Sequence, residues 1–482
     1  MDHPSAPQVQ SWTAFTCCAA ALLCLCVLPV WLAPALPMQD FPQHLFITAV
    51  LRGAHPEWTD AYVRQLTLAP YTGFYWVACA LTPLLGVEAA GRAFVTGYLL
   101  LFVVWMWRLA AELRSPPWAA LLAFPFALGS TYFHGFLNYL FALPLVLLAL
   151  QELRESAAVR LGSARLAGHA VLLCGIAWFH PLCLYVYAGL AALDLLLSRR
   201  SATALFARAA PGALALVTLA LWQAASYRDT EGQVWWAPAH DTLRYLSLLF
   251  TGLRPQPIWI ALHTACFLGM GAVLAAHRPW RALDRRAGLQ ALALLLAYLL
   301  LPFRIGSYTY VSWRLAPLFG LALAALFARV SLSRRSGLVL ALACGVVTAD
   351  VVLLQLQVGH ESAEIRALVP NVQRGARATA INVSISSSFL HPDYFGSIHE
   401  HDIFYYSLAA GGLSPFLWSD PLIPVRKQAH FGLTPPRSLK ELLAQGYSVV
   451  FTRNANPELA HALERAYVQR GERGAWRVFE RR

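Results

Sequence analysis

Long apolar runs recur through the first 355 or so residues, and they restrict this chain more than any other feature. The stretch 289–301 holds thirteen residues without a charge. Lipid leaves no water for a bare peptide group, so such segments cross a membrane as helices or as a closed barrel. A barrel strand alternates apolar and polar residues, and these runs are continuous. Charged residues make up only 13% of the 482 and hydrophobic ones 58%; a soluble protein carries roughly 25% charged. Mean hydropathy is +0.52. The fold class is therefore an all-α polytopic membrane bundle.

The net charge of +12 does not make this a nucleic-acid binder. Its arginines gather in short loops between apolar runs, the pattern that sets membrane orientation. Arg108, Arg114, Arg154, Arg160, Arg165, Arg199, Arg200, Arg208, Arg278, Arg281, Arg285, Arg286, Arg329, Arg334 and Arg335 all fall in alternate loops and are placed on the cytoplasmic side. The nine cysteines lie in or beside apolar segments, in no disulfide or zinc spacing, and read as small apolar groups. The run 12–35 is too long for a signal sequence, and residues 1–11 hold no Lys or Arg, so it is an uncleaved first span with a cytoplasmic N-terminus.

About eleven spans are expected, near 12–35, 90–111, 117–133, 136–153, 166–180, 181–198, 209–225, 258–276, 288–303, 313–330 and 336–355. Arginine flanks 166–198 at both ends, so that run turns back at His180-Pro181. Each arm is then about 22–27 Å long, against a hydrocarbon core of about 30 Å. The stretch 71–87 breaks the alternation if it spans, and is taken as an interfacial part of a first external loop, 36–89. Residues 1–355 thus form the membrane domain. Residues 356–482 form a small external α/β domain, with strands at 379–385, 447–452 and 476–479 and helices at 438–445 and 457–469.

The candidate chemistry begins directly after the first span, in Pro37-Met38-Gln39-Asp40-Phe41-Pro42-Gln43-His44-Leu45. A charge at a membrane rim is expensive and marks a functional candidate. Asp40 before Phe-Pro also fits a helix cap. His44 lies one helical turn on, so the two side chains share a face. Such a pair can hold an acceptor hydroxyl, share a proton, or bind a divalent metal such as Mg or Mn. Four further external stretches carry polar groups. His134 and Asn138 flank a glycine turn, and His180 precedes a proline; these three suit sugar hydroxyls. Arg304 and Arg314 bracket Tyr308 and Tyr310, and a guanidinium fork suits a lipid phosphate. The loop 226–257 adds Trp235 and Trp236, whose rings stack on sugars, and Asp229 and Glu231, either of which could be a second acid completing a metal site with Asp40. In the tail His391, Asp393, His399, Glu400, His401 and Asp402 match no zinc spacing and read as a polar external loop.

The order of these features resembles the GT-C superfamily of integral-membrane glycosyltransferases. The Asp40 loop is followed by Tyr71-Thr72-Gly73-Phe74-Tyr75-Trp76 and then Ala89-Ala90-Gly91-Arg92-Ala93 before the next span. The likeness is greatest to the bacterial branch that contains protein mannosyltransferases and aminoarabinose transferases, and it covers residues 12–355 as organisation. The resemblance implies a multi-span bundle with a C-terminal external domain in the inner membrane. It also implies a polyprenyl-phosphate-linked sugar donor and a catalytic acid in the first external loop, which maps onto Asp40. Two positions depart from the pattern. Gln39 and Phe41 flank Asp40 where many relatives have a second acid, and Ala69-Pro70 stands where some have Lys-Pro. Arg304 and Arg314 would then have to supply the missing cation. Two other classes stay open on sequence alone: a transporter or flippase, for which paired repeats are lacking, and a non-catalytic envelope-assembly scaffold. Neither the sugar nor the acceptor, whether glycan, lipid or protein, is legible.

Overall fold

The computed structural model describes residues 6–155, 163–197, 210–221, 233–277, 284–306, 308–382, 384–417, 423–428, 434–436 and 438–482. The chain is mostly helical and divides into two compact units. The first comprises residues 1–28, 96–131 and 138–352; the second comprises 29–95, 132–137 and 353–482. The tail therefore shares its unit with the first loop and with the glycine turn.

Among the described residues, five helices are long and apolar enough to cross a membrane: Gln10–Leu32, Val87–Leu113, Leu137–Arg154, Pro257–Ala276 and Arg334–Asn371. Shorter apolar helices include Ala164–Phe179, Pro181–Leu196, Ala210–Leu221 and Leu315–Phe327. The break expected at His180-Pro181 is present, and the helices on either side of it pack together.

The first unit places several of the loop arginines together through shared acids. Arg165 meets Glu152 at 3.2 Å, and Arg108 binds the same carboxylate. Arg329 meets Glu112 at 2.7 Å and Asp284 at 3.6 Å, and Arg154 lies 3.7 Å from Asp194. The expected span 117–133 is instead three short pieces, Trp118–Leu122, Ala123–Ala127 and Ser130–His134. Pro117 and Pro125 remove amide donors and Gly129 interrupts the run. The hydroxyl of Tyr98 donates to the Ala127 carbonyl at 2.8 Å, which satisfies one group at the breaks.

In the second unit the stretch 71–87 contains a 13-residue helix, Gly73–Leu85, which ends at Gly86 with φ +81°. Gly91 then admits the next helix against the Phe41–Arg52 helix, since a Cβ there would stand 2.9 Å from the Phe41 ring. Arg92 closes the first helix by donating to the carbonyls of Val30 at 2.6 Å and Ala33 at 2.9 Å. The last long helix does not stop at residue 355: it runs Arg334–Leu368. Its final turns bury Val358, Ile365 and Leu368, so amphipathic packing carries it past the apolar run.

The tail builds a four-stranded sheet. Ala378–Asn382 runs parallel to Val449–Arg453, which pairs antiparallel with Trp476–Arg481, itself paired antiparallel with Tyr467–Arg473. The expected helix 457–469 is shorter than its pattern suggests. Asn456 caps a helix Pro457–Glu464, accepting from the Leu459 amide at 2.8 Å, and the chain then enters the Tyr467 strand. A hairpin turning at Gly474, φ +54°, captures that strand. Two loops of the unit are tied by a second pairing, Tyr62–Arg64 against Val425–Lys427. Trp58 is fully buried and donates to the Gly411 carbonyl at 3.0 Å, and Phe46 packs on Trp58, Tyr62 and Phe404.

Candidate active site

Asp40 occupies the residue before the Phe41–Arg52 helix, and Pro42 in the first turn fixes that start. Its side chain makes no capping hydrogen bond. Backbone φ and ψ of −87° and −10° are already helical, which turns the carboxylate away from the amides it would cap. The capping role open to Asp40 in the sequence is therefore not the one adopted.

Backbone bonds hold the stretch from the other side. The Gln39 amide donates to the Phe133 carbonyl at 2.8 Å and the Asp40 amide to the His134 carbonyl at 3.3 Å. Gly135 makes this approach feasible. Its φ is +78°, and a Cβ there would stand 2.9 Å from the Asp40 nitrogen. His134 stacks between Phe136 and Phe395, with ring centroids 5.2 Å away in each case.

His44 faces Tyr75. Its Nδ1 lies 2.8 Å from the Tyr75 hydroxyl, and its ring sits beside Phe74. Burial lowers its pKa to about 3, against a smaller opposing effect from a backbone hydrogen bond with Gly135, so the imidazole is neutral. The Tyr75 hydroxyl is thus a partner of the ring that the four-residue spacing did not indicate.

The histidine that meets Asp40 comes from the tail. His401 Nε2 lies 3.5 Å from Asp40 Oδ1. Burial, with a contribution from His44, lowers the His401 pKa to about 3, so this imidazole is neutral too. Beside it Gln39 donates to Glu400 at 3.1 Å, and burial raises the Glu400 pKa while the Gln39 bond lowers it. His399 lies behind. Its Nδ1 is 2.7 Å from Asp402 and its Nε2 is 3.2 Å from Glu361. Burial opposes its charge, but Asp402 and the bond to Glu361 outweigh burial and raise its pKa. Part of the tail cluster is interior: His399, His401 and Asp402 are buried, whereas Asp393 is exposed. The segment folds under Ile403, Phe404 and Tyr406, which are buried with it.

The other expected residues fall in the first unit. Arg314 and His180 are brought together, with Nη1 to Nε2 at 3.3 Å, and the Tyr139 hydroxyl donates to the Arg314 carbonyl and packs on His180. Asn138 is buried in the first turn of its helix. Arg304 is exposed and donates to the Gly306 carbonyl of its own turn at 2.8 Å. It pairs in a two-residue strand with Trp235, so the loops 226–257 and 304–312 do meet. Tyr308 closes the Arg304 turn through a bridge to Ile305. Trp235 and Trp236 are about half exposed; Trp235 packs on Phe303 and Trp236 donates to the Leu300 carbonyl at 3.0 Å. Asp229, with Arg228 and Glu231, lies outside the described residues. Among the described residues no three His, Cys, Asp or Glu side chains group as a metal site.

No family model matches the chain, and no curated protein matches it. Solved structures do. The crystal structure of ArnT from Cupriavidus metallidurans bound to undecaprenyl phosphate has a TM-score of 0.51 at 11% identity, covering 96% of this chain and 97% of that one. The cryo-EM structure of arabinofuranosyltransferase AftD from Mycobacteria has a TM-score of 0.47 at 16% identity, covering 97% of this chain and 39% of that one. The end-to-end likeness to ArnT is one of fold: this chain has a GT-C fold.

Proposed function

We propose that the chain is a membrane glycosyltransferase that moves a sugar from a polyprenyl-phosphate-linked donor to an acceptor hydroxyl, with Asp40 as the base. One observation carries this reading. Asp40 stands at the start of a helix with its carboxylate turned from the cap and opposed by an imidazole that burial keeps neutral. A guanidinium in place of His401 would hold the carboxylate in an ion pair and lower its basicity. A neutral ring orients it without forming an ion pair. The GT-C fold adds support, because the solved ArnT of that fold was bound to undecaprenyl phosphate.

The chemistry is a single displacement. The acceptor oxygen bonds to the anomeric carbon, the bond from that carbon to the phosphate oxygen breaks, and Asp40 takes the acceptor's proton. The lipid phosphate leaves with the electron pair, and the anomeric centre inverts. Glu400, held through Gln39, brings a second acid to the stretch where the sequence has only one. For the donor phosphate the proposal keeps Arg314 and Arg304 as cations, the first fixed beside His180 and the second exposed in its own turn. It also keeps an inner-membrane location, a cytoplasmic N-terminus and a periplasmic tail.

The test is a donor assay on purified protein with a panel of undecaprenyl-phosphate sugars. Wild-type protein is expected to release undecaprenyl phosphate by transfer or hydrolysis, and Asp40→Asn to abolish release while keeping the fold. Normal turnover by the folded Asn variant would remove Asp40 as base. A well-folded wild type that consumes no donor of the panel would remove the transferase.

A further inference from the structure

The second unit contains a polar cavity of about 390 Å³ that the Asp40 chemistry does not use. Its volume sits within the range of ligand pockets, about 300–1,000 Å³. The wall is made by Glu361 and Glu364, the serines 384 and 386–388, Arg453 and Asn454.

Several of these groups are already fixed. Ser388 donates to Glu361 at 2.7 Å, and the Ala475 amide donates to Glu364 at 3.0 Å. Ser384 and Ser386 share a hydroxyl–hydroxyl bond of 2.8 Å. Arg453 reaches the carbonyls of Ser384 at 3.0 Å and Ser386 at 2.6 Å. Asn454 adopts φ +55° to present its amide, which lies 3.4 Å from the Ser384 carbonyl. One donor is left over. Arg453 is 3% exposed, and among the described residues its buried Nε has no hydrogen-bond partner.

The composition of the wall selects the ligand. Two carboxylates against one guanidinium disfavour an anion such as phosphate. Among the described residues no aliphatic or aromatic side chain larger than Ala475 lines it, which disfavours an apolar molecule. Hydroxyl groups match it: they donate to Glu361, Glu364 and the serines, and accept from the Asn454 amide. We propose that this cavity is a binding site for a neutral carbohydrate, distinct from the Asp40 stretch. The site stands whether or not Asp40 is a base. It is nonetheless connected to it, since Glu361 bonds His399, whose chain neighbour Glu400 and next residue His401 reach Gln39 and Asp40.

The test uses the full chain in a detergent without a sugar headgroup. It is titrated by calorimetry with the methyl glycosides of glucose, mannose, galactose and arabinose. Saturable binding of at least one, in about the millimolar range, is expected. Ser386→Leu fills the cavity from a half-buried position and is expected to weaken binding about tenfold or more. Asn454→Gly removes an amide while keeping the positive φ, and is expected to weaken it about threefold. Unchanged thermal midpoints show that the variants fold; if Ser386→Leu does not, Asn454→Gly decides. Absence of binding to all four glycosides by wild type, or binding that neither variant weakens, overturns the site. Inorganic phosphate binding as tightly as the best glycoside overturns the ligand class.

Discussion

Two buried aspartates divide the molecule by the partners they keep. In the first unit Asp350 lies on a membrane-length helix, 2.7 Å from Arg254 Nε and 2.9 Å from His263 Nε2. All three side chains are nearly inaccessible, and Arg254 also sits over the Trp259 ring. In the second unit Asp40 stands 3.5 Å from the neutral His401. The first carboxylate is matched by a cation, which is what allows a charge to persist among apolar helices. The second stands at the start of a helix against an uncharged ring. One arrangement ties two helices through an ion pair; the other sets a carboxylate beside an uncharged ring.

The contrast breaks or stands on a pair of isosteric variants. Asp40→Asn should lower transfer by about 10²–10⁴-fold with little change in thermal stability. Asp350→Asn should do the reverse. It leaves Arg254 buried without its counter-charge, which costs about 3–5 kcal/mol, while protein that stays folded turns over near the wild-type rate. Turnover per folded molecule and the thermal midpoint separate the two. Equal loss of stability in both variants would end the distinction.

A second pair of variants sharpens it. Each aspartate cluster leans on a glycine with positive φ. Gly135 at +78° abuts the Asp40 backbone, and Gly252 at +80° abuts the His263 ring, 2.6 Å from where a Cβ would sit. Alanine at either place incurs a left-handed penalty of about 1–2 kcal/mol. Gly135→Ala also pushes on Asp40 itself, and a displacement near 1 Å can cost about 10²-fold in rate. Gly252→Ala should reduce stability and spare turnover per folded molecule. A Gly135→Ala enzyme with normal turnover would show that the approach of 133–135 to Asp40 does not position the carboxylate.

Sequence pattern carries far into this fold but stops short of the site. Apolar runs mark membrane-length helices because hydropathy reports solvent directly. The turn at His180-Pro181 was legible from arginine at both ends of one run. The course past residue 355 was not, because polar residues Glu361, Glu364 and Arg366 return there while one buried stripe continues the helix to Leu368. Within the site, Asp40 was legible from its depth and its place in a loop order. Its partner was not: His401 lies 361 residues away, and no local spacing ties it to Asp40. The available signal was density, with three histidines and three acids in residues 391–402 just before Phe404-Tyr405-Tyr406. A polar run against an aromatic run is as much a buried cluster as a solvated loop, and only packing separates the two.

Titration tests the neutral rings around Asp40 and gives the smallest expected effect. His44 and His401 both have pKa values lowered to about 3, chiefly by burial. The unfolded chain binds protons on these rings near pH 6.5, and the folded chain does not. Stability from them is therefore present above about pH 6.5 and is lost as pH falls toward 3, by at most about 1.4 kcal/mol per pH unit for each ring. His399 carries the opposite sign. Its raised pKa favours the fold below about pH 6.5 and loses that contribution as pH rises through the raised value. It cannot mask the acid limb, because it is protonated in both states there. His401→Gln keeps a polar group of similar reach without the proton. It should flatten the fall in thermal midpoint between about pH 6.5 and 4 by up to one ring's share, with His44 supplying the rest. An acid limb identical to wild type would mean that His401 carries a proton in the folded protein at those pH values. Asp40 would then face a cation, as Asp350 does.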